Sequence, residues 1–346
     1  MVSGLQEQGK RLFPGLIAVL GIAIICRLLM EVFPKEVGTV LGEPVLGMIL
    51  GLVLGNALGI LPRFEPGIRF SYSRLLPIAI VLLGAKFSFQ RIVSMGWGVV
   101  FLILGLIILA MALTLTLSKL GKVSSKLGLL IGLGTAICGN TAITVSAPVI
   151  GAKDEEITFA IATNTLFGTL AVLLYPVLGH ALEVSQSFFG IWAGTAVNDT
   201  SQVIAVGFSY GDQAGEIATM VKLIRNALMG LVILILGWVY ASNSGEVKLT
   251  QRLKKAVPGF LIGFLIMALL QTFGLIDQVG QVLGRAIVSD FLAVSKFLIL
   301  MALIGVGWST SFQKMKQLGF KPLFIGMFAA TLVSITSFLF IRHVLT

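Results

Sequence analysis

Gly134-Thr135-Ala136-Ile137-Cys138-Gly139-Asn140-Thr141-Ala142 and Gly194-Thr195-Ala196-Val197-Asn198-Asp199-Thr200-Ser201-Gln202 are two short polar clusters, each set in the middle of a long apolar stretch. Lipid cannot hydrogen-bond a peptide group, so irregular backbone at mid-membrane depth survives only inside protein or beside a water-filled cavity. Paired interruptions of this kind are the sequence signature of a transporter's binding site.

Composition supports a membrane protein. Of 346 residues, 57% are hydrophobic and 12% charged, half the charge of an ordinary soluble domain at roughly 25%. Apolar runs of about twenty residues recur along the chain, which predicts an all-α polytopic bundle forming a single transmembrane domain over 1–346. The ten-residue alternation of an outer-membrane barrel is missing. Residues 1–11 read as a polar cytoplasmic N-terminus with no cleavable signal peptide. The net charge of +10 belongs to loops between spans, so no nucleic acid is expected as a partner. Cys26 and Cys138 fall in apolar spans, and His180 and His343 are the only histidines. No cofactor, metal site or catalytic constellation is expected, and the chain does not read as an enzyme.

Eleven spans are predicted, over 12–33, 41–61, 75–93, 98–118, 127–150, 157–182, 188–208, 217–240, 257–275, 294–312 and 321–342. Residues 276–293 carry Ile276, Val279, Leu283, Ala286 and Ile287 at helical spacing, the pattern of an interfacial amphipathic helix; a twelfth span is the alternative. With the N-terminus cytoplasmic, fifteen Lys and Arg fall inside and seven outside. That bias predicts a multi-pass inner-membrane protein, N-terminus in and C-terminus out. Ser88 to Trp97 matches Ser311 to Phe320 at Ser, Phe, Gln and Gly. Seven spans separate the copies, as an inverted-topology repeat requires. That repeat does not superpose the two interrupted segments, which are the fifth and seventh spans.

Few charges remain within the spans. Asp199 is the one acid in the middle of a span, with Lys222 and Arg225 one turn apart on the eighth and Asn226 on the same face. A charge at such depth costs at least ~2.5–3.5 kcal/mol and ordinarily faces a partner or a cavity. Two bases against one acid leave a positive pocket suited to an anion. Cys138, Gly139, Asn140 and Thr141 offer a helix break and a half-helix N-terminus, a ready anion site. Asn198, Thr200, Ser201 and Gln202 supply hydrogen bonds, and Asp199 a coupling group or an anchor for the bases. The alternatives are a structural ion pair for Asp199, snorkelling for Lys222 and Arg225, and a small-residue packing face around Gly139.

The Ile137-Cys138-Gly139 segment resembles the YeiH-type sulfate exporter family, a group of otherwise uncharacterised integral membrane proteins. So do Val197 to Gly207 with Gln202-Val203, the Lys222/Arg225 helix, and Gly47-Met48 through Gly55-Asn56. The resemblance runs from about residue 40 to the C-terminus. It implies a dimeric secondary transporter with crossed, interrupted helices, similar in plan to bile-acid symporters and sodium/proton antiporters. Its cargo would be a small anion such as a sulfur oxyanion, with a proton or sodium as coupling ion. The family pattern has a His before the acid, where this chain has Asn198, and an acid before the proline, where it has Ala147. The rival expectation is a cation/proton antiporter built on Asn198-Asp199.

Overall fold

The computed structural model describes residues 2–33, 35–88, 90, 96–240, 258–311, 313 and 320–345. The matched segments at 88–97 and 311–320, and the basic stretch Lys248 to Lys255, lie largely or wholly outside these residues. The described secondary structure is helical throughout. In chain order the helices are α1 (Val2–Val32), α2 (Lys35–Ala57), α3 (Glu65–Lys86), α4 (Gly96–Leu120), α5 (Ser125–Ala136), α6 (Asn140–Ile150), α7 (Asp154–Ala181) and α8 (Gln186–Ala196). There follow α9 (Thr200–Tyr210), α10 (Asp212–Ala227), α11 (Met229–Val239), α12 (Gly259–Thr272), α13 (Leu275–Leu283), α14 (Ile287–Ser309) and α15 (Phe320–Phe340).

Two compact units divide the chain. Unit 1 is Met1–Ser94 with Gly259–Gln313, and unit 2 is Met95–Pro258 with Lys314–Thr346. Unit 1 holds α1 to α3 and α12 to α14. Its tightest seam joins α2 to α14. A Cβ on Gly51 would lie 2.3 Å from Ile304 O, and one on Gly55 2.2 Å from Trp308 O. The glycines spaced by four are therefore a helix contact, as that pattern implies. Val19, Ala23, Cys26, Ile68 and Ile304 fill the adjoining core. Arg27 pairs with Glu43 at 3.7 Å and lies over the Phe297 ring at 4.6 Å, which explains a charge so far inside α1.

The segment expected as one surface helix over 276–293 is two helices. α13 ends at Gly284, in the left-handed conformation that favours glycine, and α14 begins at Ile287. α13 bends 70° from α12. It buries Ile276 and Gly280 and exposes Val279, Val282 and Leu283, an amphipathic distribution.

Unit 2 corrects the expected topology. α5 and α6 are two halves of one apolar segment, but they do not run on through a membrane. Lys126 Nζ, near the start of α5, donates to Gly151 O at the end of α6, at 2.6 Å. A continuous helix would hold those residues about 37 Å apart. Ser124 Oγ also bonds Glu156, just beyond. α5 and α6 are therefore a re-entrant hairpin, here hairpin A, with both ends at one mouth.

α8 and α9 repeat the device. Gln186 Oε1 accepts from Gln213 N at 3.1 Å and from Ala214 N at 3.3 Å. Phe189 and Tyr210 stack with centroids 3.9 Å apart. This is hairpin B. α7 fixes the polarity of the pair. Its N-terminus, with Lys153 and Glu156, stands at the mouth of hairpin A. Its C-terminus stands at the mouth of hairpin B, where Tyr210 OH donates to Gly179 O at 3.2 Å and His180 meets the Tyr210 ring. The hairpins enter from opposite ends of a 28-residue helix.

Among the described residues, the fifth and seventh expected spans are thus hairpins and not single crossings. Among the described residues, seven helices are long and apolar enough to cross a membrane, or eight if the bent α12–α13 pair counts as one span. Gly42–Ala57 of α2 is a shorter apolar helix.

Candidate functional site

Each polar cluster of the sequence is a hairpin tip. Tip A is Ile137–Gly139 and tip B is Val197–Asp199. Gly139 has φ 67 and ψ −130, a conformation that requires glycine. At tip B, Asp199 is the N-cap of α9: Ser201 N and Ser201 Oγ donate to its Oδ1 at 3.0 and 2.7 Å. The tips meet inside unit 2. A Cβ on Gly139 would lie 2.8 Å from Asp199 Oδ2 and 3.0 Å from Asn164 Nδ2.

α10 runs beside α8 in the same direction, since Gly190 packs on Ile217 and Gly194 on Val221. This brings Lys222 and Arg225 level with the tips, about 15–20 Å from the start of α10 at 1.5 Å per residue. Both side chains are buried, at 0% and 2% exposure. Lys222 Nζ donates to Ile137 O at 2.8 Å, to Val197 O at 3.1 Å and to Asn198 O. An ammonium has three hydrogens, so its capacity is taken. Arg225 Nε donates to Ala136 O at 2.6 Å, and a terminal nitrogen donates to Thr195 O at 2.7 Å and Val197 O at 3.1 Å. Its other terminal nitrogen bonds Thr135 O.

The structure therefore gives the two cations backbone partners where a ligand was expected. They cap the carbonyl ends of α5 and α8 and bind the tips together. Neither forms an ion pair with a carboxylate among the described residues; Glu216, also buried, lies about 9 Å earlier along α10.

Four helix ends converge here. The C-terminal ends of α5 and α8 carry about half a negative charge each, and the N-terminal ends of α6 and α9 about half a positive charge each. The dipoles cancel. Lys222 and Arg225 against Asp199 then leave about one positive charge at the meeting point.

Neutral groups surround it. Asn164 Nδ2 donates to Asn140 Oδ1 at 2.9 Å, Asn140 Nδ2 to Thr165 Oγ1 at 3.2 Å, and Asn226 Nδ2 to Thr200 Oγ1 at 3.2 Å. Gln202 Nε2 reaches Thr165 O at 3.4 Å. The buried amide oxygens of Asn164, Gln202 and Asn226 have no hydrogen-bond partner, so the site retains spare acceptor capacity of a kind rarely left unused in a native interior. Asn140, Asp199 and Thr200 are half-buried and Thr141 is exposed. Cys138 is turned away, its Sγ 3.3 Å from Met229 Sδ.

All the candidate residues read from the sequence thus lie in or next to the two tips, apart from Lys222 and Arg225, which come to them from α10. Asn164 and Thr165 were missed. The polar run Thr163-Asn164-Thr165 inside the apolar α7 was their signal. The partners of the two cations are main-chain carbonyls, which no side-chain pattern discloses.

An all-α, multi-pass membrane protein with two re-entrant hairpins is the class that this architecture defines. The family model described as Conserved hypothetical protein 698 matches residues 14–326. A UPF0324 membrane protein of Fusobacterium nucleatum is 36% identical over 310 residues, covering 85% of this chain and 89% of the relative. A UPF0324 membrane protein of Clostridium tetani is 30% identical, covering 95% and 96%. One of Bartonella henselae is 34% identical, covering 95% and 92%. The chain belongs to this family of uncharacterised integral membrane proteins, the YeiH type.

Proposed function

We propose that the protein is a secondary transporter that carries a small anion, such as a sulfur oxyanion, by alternating access. One observation carries the reading: two hairpins inserted from opposite ends meet tip to tip beside two buried cations, Lys222 and Arg225, that form no ion pair with a carboxylate among the described residues. An anion at the tips would complete the charge balance. It would be held by the half-helix N-terminus at Asn140 and Thr141 and by the side chains of Thr200 and Asn198. Lys222 and Arg225 would act on it through the field rather than by contact.

The remaining attributes follow from the same reading. Lys119, Lys122, Lys126, Lys153 and Lys321 collect at the end of unit 2 that holds the mouth of hairpin A, which favours that end as cytoplasmic. The protein would sit in the inner membrane, N-terminus in, as a homodimer using a proton or sodium as coupling ion. Transport, not catalysis, is the activity proposed. Flux of labelled sulfite, sulfate and related anions, sulfonates among them, into proteoliposomes tests it; folded protein with no flux of any of them above empty liposomes would refute it.

A cation/proton antiporter remains the rival. Its support is that Asp199 is half-buried and uses only one oxygen as a cap, leaving Oδ2 beside Gly139. Dequenching of a pH-sensitive dye on addition of sodium or potassium, lost in Asp199→Asn, would favour it.

A further inference from the structure

Resting on that reading, we propose that the transported anion is organic, with an apolar body that lies in a cleft of unit 2 leading to tip B. The cleft has a volume of about 510 Å³ and is formed by α7, α8 and α15. It extends from Phe167 and Met327, level with the tips, to Leu182 and Leu339 near the mouth of hairpin B. Along α7 that is about 22 Å. A volume of this size holds a medium-sized organic molecule, whereas a bare oxyanion would leave most of it empty.

The two ends of the cleft differ in chemistry. Leu170, Leu174 and Leu178 line its wall with carbon. The deep end is lined by Ala196, the last residue of α8, and by Val197 and Asn198 of tip B. Directly behind that floor, Lys222 donates to Val197 O and Asn198 O, and Arg225 to Val197 O. The positive charge of the site therefore stands at the inner end of a mostly apolar cleft. About midway along the cleft, Tyr175 OH and Trp192 Nε1 both donate to Ser334 Oγ, at 2.7 and 3.2 Å. That hydroxyl's own hydrogen is directed by neither contact.

A lipid chain is the competing occupant. Irregular backbone is not tolerated against lipid tails, and tip B is irregular backbone that lines this cleft. A floor of that kind, with charge behind it, matches an anionic head and an apolar tail entering head first.

Affinity against chain length decides the matter. Full-length protein in detergent is titrated calorimetrically with sulfate, then with alkanesulfonates from ethane- to octanesulfonate, and with the matching alkylammonium ions. Binding should tighten about fourfold per methylene until the cleft is full, and the ammonium series should not bind. Ala171→Trp, which fills the cleft, should remove the chain-length gain and leave ethanesulfonate binding; Ala330→Trp does the same from the opposite wall should the first variant misfold. A flat series with sulfate bound would overturn this inference and leave the proposed function standing. Absence of binding by every anion would count against the proposed function itself. A phospholipid that co-purifies with the wild type, and is lost from both tryptophan variants, would assign the cleft to lipid.

Discussion

Gly139 of one hairpin and Asp199 of the other pack so closely that a methyl group on the glycine would stand 2.8 Å from the carboxylate oxygen Oδ2. Everything proposed for the site depends on that closeness, and it is open to direct test.

Gly139→Ala should fail for two reasons. Its φ of 67 is disfavoured for any side chain, at about 1–3 kcal/mol, and the new methyl has no room. A loss of at least about 3 kcal/mol in stability, read as a fall in thermal midpoint of the purified protein, is expected together with loss of anion flux. A wild-type midpoint would show that the tips stand further apart than described.

Removing either buried cation should be more damaging than removing any surface lysine. Lys222→Met leaves the carbonyls of Ile137 and Asn198, one on each hairpin, without that donor, while Val197 O keeps Arg225; a stranded buried polar group costs about 1–3 kcal/mol. Arg225→Lys keeps the charge and loses the fork that reaches both tips. Both variants should unfold at lower temperature than Lys126→Ala, whose exposed bond to Gly151 carries at most about 1 kcal/mol.

The re-entrant topology predicts which positions share a side of the membrane. Lys122→Cys and Lys153→Cys, in a background with Cys26 and Cys138 replaced, should react with an impermeant maleimide from one face. Glu183→Cys and Asp212→Cys should react from the other. Eleven crossings would place positions 122 and 153 on opposite faces, so labelling from opposite sides would reject the hairpin.

Asp199→Asn separates the two transport readings. The N-cap bond from Ser201 persists in weakened form, so destabilisation should stay within about 0.5–2 kcal/mol. On the anion reading, the variant gains positive charge and retains or strengthens anion binding, measured by titration calorimetry. A variant that folds and loses all anion binding would contradict that reading.

The breaks themselves were legible in the sequence. Gly139 and the polar run from Asn198 to Gln202 cannot continue a helix facing lipid, and they fall at the observed tips. The reversal at each tip was not legible. Two half-helices of eleven or twelve residues have together the length and hydropathy of one crossing. Only contacts between their far ends, Lys126 with Gly151 and Gln186 with Gln213, tell a fold-back from a passage. The fifth and seventh expected spans are related by inverted polarity, since the two hairpins open at opposite ends of α7; the shift of seven rests on segments that lie largely outside the described residues. Lys222 and Arg225 share one helix, as their spacing implied, but stand deeper than a span opening at 217 would put them, because α10 begins at Asp212; their acceptors, being peptide carbonyls, left no trace in side-chain spacing.

A hairpin with both feet on one shore need not ferry a polar loop through oil when it shifts. On the transport reading, each tip would withdraw toward its own compartment only on releasing the carbonyls that Lys222 and Arg225 hold, and the doorway to either side would have a separate leaf.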